Sequence, residues 1–190
     1  NIIRNYLGAK YQIDLGSNDM YLHDDIYRFN LGGIGRENQF DLHQDAQGTG
    51  IVRVNNPASF DDGDYFMWAD NKQSHSNWIP NVAPFETKMI SRIWQVEEIG
   101  TIESVDVRIA LETLPENDLE YAVLISTQPD FSQNNEAYKM SLVEDTLIST
   151  IDFSDDAYFT IIAANDLQIQ LINEGYSSLT LTIYPSFSFG

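Results

Sequence analysis

The stretch 91–111, SRIWQVEEIGTIESVDVRIAL, decides the fold, because apolar and polar side chains alternate along it on both sides of Gly100. Strict alternation with a period of two indicates half-buried strands of an antiparallel sheet. Two such strands joined at a glycine predict a hairpin. A sheet with one apolar face needs a second layer to cover it, so the stretch predicts a β-sandwich in which Trp94 contributes the largest buried surface.

Shorter segments with strand character recur along the rest of the chain, separated by turn-forming residues. Spacings of about eight to twelve residues are typical of an antiparallel sandwich or jelly roll. We therefore predict an all-β, jelly-roll-like antiparallel β-sandwich of about ten strands. Besides the two strands of 91–111, the predicted strands are 51–54, 65–69, 119–127, 137–143, 147–153 and 158–163.

The segment 29–36, FNLGGIGR, has three glycines within four positions. Such a run indicates either positive φ angles or close packing against the backbone. A phosphate-binding loop would need a helix after it and a lysine on it, and neither is present. We predict a bulged core strand.

Three further features complete the domain organisation. Ile3, Leu7 and Tyr11 follow one another at helical spacing and predict one short N-terminal helix over 1–11. Polar segments at 14–25, 40–50 and 72–86 are predicted loops. The alternating tail predicts a hairpin, so residues 1–163 form the sandwich domain with its helix, and 164–190 form a hairpin added to the sheet or leading into a further domain. Because the chain begins at Asn1 without methionine, we expect a processed or excised piece of a longer protein.

The charge balance excludes several classes of partner. Ten Lys and Arg residues oppose 29 Asp and Glu residues, which gives a net charge of −19. This field repels nucleic acid and anionic membranes. The chain has no cysteine, which excludes disulfides and thiolate zinc sites, and it has no apolar run of about 20 residues, so we expect no membrane insertion.

Acidic residues on both sides of one predicted strand suggest calcium as the cofactor to consider. Hard oxygen ligands are what calcium prefers, but the spacing does not match an EF-hand. Solvated acidic turns explain the same residues. The candidate ligands are Asp61, Asp62, Asp64, Asp70 and Asn71.

An exposed aromatic side chain is the other candidate for ligand contact. Trp78 lies in a polar predicted loop, where it could stack on a sugar or fold back over the edge of the core. Trp68 and Trp94 lie inside strand patterns and are predicted core residues.

The sequence does not predict an enzyme. Glu97 and Glu98 are adjacent in a strand and so point to opposite faces, which excludes them as a glycosidase pair. His23, His43 and His75 show no zinc-binding spacing and are interpreted as surface residues. No G-x-S-x-G elbow occurs.

The order of these segments resembles an uncharacterised domain of large secreted surface proteins from type IX-secreting bacteria, which commonly follows a laminin G-like (concanavalin A-like) lectin domain. The resemblance covers about residues 6–162. It rests on YLGAKYQIDL (6–15), GIGREN (33–38), GDYFMWAD (63–70), SRIWQVEEIGTIESVDVRI (91–109), VLISTQPDFS (123–132) and IDFSDDAYFTI (151–161).

The resemblance implies a secreted, cell-surface location and a non-catalytic structural or adhesion role beside neighbouring domains of the same chain. It transfers no active-site residues. The alternative is a carbohydrate-binding module that contacts glycan through Trp78 and calcium-supported loops. Besides its neighbouring domains, the partner predicted for the domain is a glycan or another cell-surface protein.

Overall fold

The computed structural model describes residues 1–80, 87–132, 135–164, 169–172 and 180–183, and these are mostly β-sheet. One helix, α1 (Ile2–Tyr11), precedes the strands. The strands are β1 (Phe29–Asn38), β2 (Asp41–His43), β3 (Asp45–Ala46), β4 (Val52–Asn55), β5 (Tyr65–Asp70), β6 (Trp78–Pro80), β7 (Thr87–Ile90), β8 (Trp94–Ile99), β9 (Ser104–Ala110), β10 (Glu120–Ser126), β11 (Glu136–Lys139), β12 (Ser141–Val143), β13 (Thr146–Asp152), β14 (Tyr158–Ala164), β15 (Ile169–Ile172) and β16 (Thr180–Ile183).

Strands β1 to β14 form two antiparallel sheets, which confirms the predicted all-β sandwich. The large sheet has the order β11-β10-β14-β8-β5-β1-β2, with β7 paired to β14 and β6 to β7. The small sheet has the order β12-β13-β9-β4-β3. The additional strands are short: β2, β3 and β6 lie in segments predicted as loops, and the predicted strand 137–143 is divided between β11 and β12.

The two strands of 91–111 are present, but the predicted hairpin is wrong. β8 pairs with β5 and β14 in the large sheet, whereas β9 pairs with β4 and β13 in the small sheet. The chain crosses between the sheets just after Gly100, whose φ of 89° is available to glycine without strain. β8 and β9 therefore lie in opposite layers, where each helps to cover the apolar face of the other sheet, and they do not pair with each other.

The main core lies between the sheets and contains both tryptophans predicted to be buried. Trp68 and Trp94 are each 1% exposed. Trp94 stacks on Phe159, with ring centroids 5.1 Å apart, and Phe159 contacts Phe153 at the end of β13. The aromatic contacts thus join the large sheet to the small one.

Helix α1 confirms the predicted helix, but its apolar stripe faces away from the protein. Ile3 and Tyr11 are 75% and 62% exposed, while the buried residues are Asn5, Gly8 and Ala9. Gly8 lies against Leu15 of the segment after the helix, and Ala9 packs with Met67 and Ala69 of β5 on the outer face of the large sheet. Asn5 replaces an apolar contact with hydrogen bonds, since its Oδ1 accepts from the backbone N–H of Met20 at 2.7 Å.

The glycine-rich segment forms β1 and confirms the predicted bulged core strand. Its pairing with β5 shifts register between Phe29 and Gly32. Gly33 lies under the helix, where an added Cβ would be 3.1 Å from Ile2 Cγ2. Close packing, rather than positive φ, explains the glycines of this strand.

The predicted C-terminal hairpin is present as β15 and β16, which pair with each other in a two-stranded antiparallel sheet. The division of the chain at residue 164 stays a prediction. Among the described residues, no helix combines the length and apolar character needed to cross a membrane.

A carboxylate of β9 gives the first testable prediction. Asp106 accepts hydrogen bonds from Thr150 Oγ1 at 2.6 Å, Asn56 Nδ2 at 2.8 Å and Arg108 Nη2 at 3.3 Å. Burial raises the pKa of Asp106, but these hydrogen bonds outweigh burial and hold the pKa below its ordinary value. We expect Asp106→Asn to lower the free energy of unfolding at neutral pH by about 1–2 kcal/mol.

The pH dependence of that loss has a definite sign. A carboxylate whose pKa is depressed by folding stabilises the fold above its unfolded-state pKa, and the stabilisation is lost as the pH falls through the folded-state pKa. The free energies of unfolding of the wild type and of Asp106→Asn, measured in urea, should therefore become equal as the pH is lowered into the acidic range. Asp118→Asn, at an exposed position, is the matched control. A difference that stayed constant from neutral to acidic pH would contradict the prediction.

Candidate functional site

A histidine and two carboxylates from three separate segments meet on the outer side of the large sheet. His23 belongs to the segment between α1 and β1, Glu97 to β8, and Asp156 to the turn before β14. His23 Nε2 lies 3.2 Å from Glu97 Oε2 and 2.7 Å from Asp156 Oδ1. One ligand atom of each residue lies within 4.8 Å of the others, a spacing that could hold a metal ion. We call these three residues the His23 cluster.

The alternation of β8 places Glu97 in the cluster. Val96 points into the main core, so Glu97 points to the outer face, where it pairs across the ladder with Met67. The segment after α1 covers this face, and Tyr21 is 1% exposed there. The backbone N–H of Leu22 donates to Glu97 Oε2 at 3.3 Å. Glu97 is thus almost buried, at 8% exposure, and is oriented by the backbone.

The other two members of the cluster are positioned by local contacts. The ring of His23 lies edge-on to Tyr21, with centroids 5.8 Å apart. Asp156 has a φ of 61° in a turn closed by the Ala157 N–H donating to the Ser154 carbonyl at 3.2 Å. The carboxylate of Asp156 is 68% exposed. The cluster is therefore accessible to solvent on its Asp156 side.

The electrostatics of the cluster favour positive charge. Hydrogen bonding to Glu97 raises the pKa of His23, and the hydrogen bond to Asp156 adds to this against the opposing effect of burial. Two carboxylates thus surround a single imidazole.

The residues predicted as calcium ligands lie at the two ends of β5. Asp61, Asp62 and Asp64 belong to the turn before the strand, and Asp70 and Asn71 lie at its far end, so the length of a six-residue strand separates the two groups. That length is about 17 Å, which is too long for ligands of one ion. The structure therefore does not bring the five residues together, and calcium binding stays a prediction.

The acidic turn before β5 is held by its own hydrogen bonds. Asp64 Oδ2 accepts from the backbone N–H of Asp61 at 2.7 Å. Asp62 Oδ1 forms an ion pair with Arg36 Nε at 2.7 Å. These carboxylates fix the entry into β5.

The far end of β5 is organised by a fully buried carboxylate. Asp70 Oδ2 accepts from Asn30 Nδ2 at 2.8 Å and lies 3.5 Å from Arg92 Nη1. Asn71 Oδ1 accepts from the backbone N–H of Ile93 at 3.2 Å. These bonds tie the end of β5 to β1 and to the residues just before β8.

Trp78, the predicted ligand-contact residue, lies in β6 and is half-buried. Its Nε1 donates to the Pro115 carbonyl at 3.2 Å. Its ring packs against Tyr121, with centroids 6.0 Å apart, at the edge of the main core. The indole therefore already has a polar and an apolar partner within the protein, and a contact with glycan stays a prediction.

The histidines separate into different environments. His43 is exposed in β2, as expected for a surface residue, and His75 is partly buried. His23 is the residue that sequence reasoning missed, because its partner Asp156 is 133 positions away. The only sequence signal for the His23 cluster was the strand alternation, which separates Glu97 from Glu98 by face.

Comparison with known proteins identifies a family but no function. A family model described as a domain of unknown function (DUF8202) matches residues 1–157, a span that includes the whole His23 cluster. No curated protein and no solved structure matches the chain.

Proposed function

The chain belongs to the DUF8202 family of domains of unknown function, and we propose that it is a non-catalytic structural or adhesion module of a secreted bacterial cell-surface protein. One observation carries the proposal: Asp70 and Trp78, two of the predicted ligand-contact residues, bond to their own domain instead. Asp70 holds two neighbouring strands, and Trp78 is fixed by Pro115 and Tyr121. Such side chains support a rigid module.

The surface charge agrees with this role. A net charge of −19 keeps the domain soluble and disfavours binding to nucleic acid or anionic membranes. Within the proposed context, the partners are neighbouring domains of the same chain, including a laminin G-like domain ahead of this one in a type IX-secreted protein. The module would then space or present its neighbour.

A domain replacement tests the structural role. In the full-length surface protein, deletion of residues 1–164 is expected to reduce surface display or cell adhesion. Replacement of the same residues by an unrelated β-sandwich of similar size should restore display if the domain is a spacer. Restored display without adhesion would assign the adhesive surface to this domain. Unchanged display and adhesion after deletion would contradict both forms of the proposal.

A glycan array tests the competing carbohydrate-binding function. We expect the purified domain to bind no glycan above background, with or without calcium chelation. Glycan binding that disappears in Trp78→Ala and persists in Ile79→Ala would instead support a carbohydrate-binding module. Ile79 is the matched control because it is the next residue of β6 and is 40% exposed. Circular dichroism of both variants checks that the sandwich is intact.

A further inference from the structure

We propose that His23, Glu97 and Asp156 bind one divalent transition-metal ion of the zinc type, through Nε2 of the imidazole and one oxygen of each carboxylate. Such a site goes beyond the structural role proposed above. It would fasten the segment after α1 to β8 and to the turn before β14. The argument rests on ligand spacing, ligand type, charge balance and support of the ligands.

The two distances from His23 are close to those of a tetrahedral site, and the Glu97 and Asp156 oxygens lie within 4.8 Å of each other. Nitrogen and oxygen ligands lie about 2.0–2.2 Å from zinc, which puts neighbouring ligand atoms of a tetrahedral site about 3.3–3.6 Å apart. The His23–Glu97 distance of 3.2 Å already fits. The His23–Asp156 distance of 2.7 Å requires only a small outward movement of the exposed Asp156 side chain.

The ligand types favour a transition metal over calcium. Imidazole nitrogen suits zinc and its neighbours, whereas calcium takes about six to eight oxygen ligands. Three protein ligands with one exposed side match a zinc ion that completes its coordination with water. The exposed Asp156 carboxylate lies on the side from which water and metal can enter.

Charge balance is an independent observation that calls for a cation. Glu97 is 8% exposed, and a nearly buried carboxylate is costly unless it is paired. Among the ion pairs of the described residues, the only cationic partner of Glu97 and Asp156 is His23. A protonated His23 offsets one of the two negative charges. A divalent ion with neutral His23 offsets both.

The ligands are also supported from outside the cluster, as metal ligands generally are. The backbone N–H of Leu22 donates to Glu97 Oε2, and the buried ring of Tyr21 lies against the imidazole. Asp155 Oδ1 accepts from the backbone N–H of Glu98 at 3.0 Å, which ties the turn of Asp156 to β8. Two of the three segments are thus held together before any ion binds.

Metal titration of the chelator-treated protein tests the site. We expect Zn²⁺ to raise Tm by about 2–8 °C and Ca²⁺ at the same concentration to leave Tm unchanged. Co²⁺ should give the visible absorption bands of a tetrahedral ion with nitrogen and oxygen ligands. His23→Gln and Asp156→Asn should each weaken Co²⁺ binding at least about 10-fold.

Two control variants locate the ion. His43→Gln removes an exposed histidine of β2, and Asp62→Asn alters the acidic turn before β5, so both should bind Co²⁺ as the wild type does. Asp156→Asn changes an exposed side chain, so its folding is secure even if His23→Gln disturbs the buried side of the cluster.

Three results would overturn the proposal. In the first, the wild-type protein shows neither a Zn²⁺-dependent Tm nor a Co²⁺ spectrum. In the second, the variants of the His23 cluster bind Co²⁺ as tightly as the wild type. In the third, the Zn²⁺ effect on Tm is lost in Asp62→Asn instead of His23→Gln. None of these results bears on whether the domain is a structural module, because display and adhesion are measured separately.

Discussion

Trp94→Ala is expected to lower the free energy of unfolding by about 3–5 kcal/mol, the loss typical of removing a large aromatic side chain from a core. Trp94 is 1% exposed and lies directly across the β8–β14 ladder from Phe159. The two rings are nearly parallel, with an interplanar angle of 11°. Truncation would leave a cavity between the sheets and remove the stacked contact.

Urea unfolding followed by far-ultraviolet circular dichroism measures this loss without relying on tryptophan fluorescence. Trp78→Ala is the matched control, because Trp78 is half-buried and lies outside the β8–β14 ladder. Trp78→Ala should lower the free energy of unfolding by clearly less than Trp94→Ala does. Equal losses in the two variants would show that the stretch 91–111 does not organise the core.

Strand existence could be predicted from the sequence where a strand is long and buried. YFMWA predicted β5, and the alternation around Gly100 predicted β8 and β9. Alternation tells which side chains share a face, but it does not tell which strand lies beside which. The hairpin prediction failed for that reason, since two adjacent amphipathic strands can equally well cover each other from opposite layers.

The short strands could not be predicted, because two or three residues do not establish a period. β2 and β3 contain three and two residues, and their side chains are exposed or half-buried. Their pairing depends on backbone hydrogen bonds to β1 and β4, which the sequence pattern does not encode. For edge strands of this kind, a pattern of hydrophobicity predicts a loop.

Helix α1 was predicted correctly from its helical spacing, but the apolar residues that gave this spacing lie on the exposed face of the helix. Ile3, Leu7 and Tyr11 supplied the helical spacing, yet the buried residues of the helix are Asn5, Gly8 and Ala9. Of these, Asn5 and Gly8 contact the segment after the helix, and Ala9 packs with residues of the large sheet. Helical spacing shows which residues share a face of the helix, but not which face packs against the rest of the protein. The same limit hides the His23 cluster, because its geometry exists only once β8 and β14 are adjacent and the segment after α1 covers them.

Gly32→Ala is expected to destabilise the protein by about 3 kcal/mol, at the upper end of the range for overpacking a core. Gly32 lies directly opposite Trp68 in the β1–β5 ladder. An added Cβ would lie 2.5 Å from Trp68 Cζ2 and 2.7 Å from Cε2, well inside van der Waals contact. The indole is 1% exposed and packs against Phe66, so it cannot move aside without displacing the core.

A double-mutant cycle separates this clash from a backbone effect. Trp68→Leu removes the indole atoms that the new methyl group would meet, so Gly32→Ala should cost at least about 1 kcal/mol less in the Trp68→Leu background than in the wild type. Gly63→Ala is the control for backbone strain alone, because Gly63 has a φ of 98° and nothing within 4 Å of an added Cβ. Its expected cost is about 1–2 kcal/mol. Additive losses for Gly32→Ala and Trp68→Leu would mean that β1 requires glycine for a reason other than the approach of Trp68.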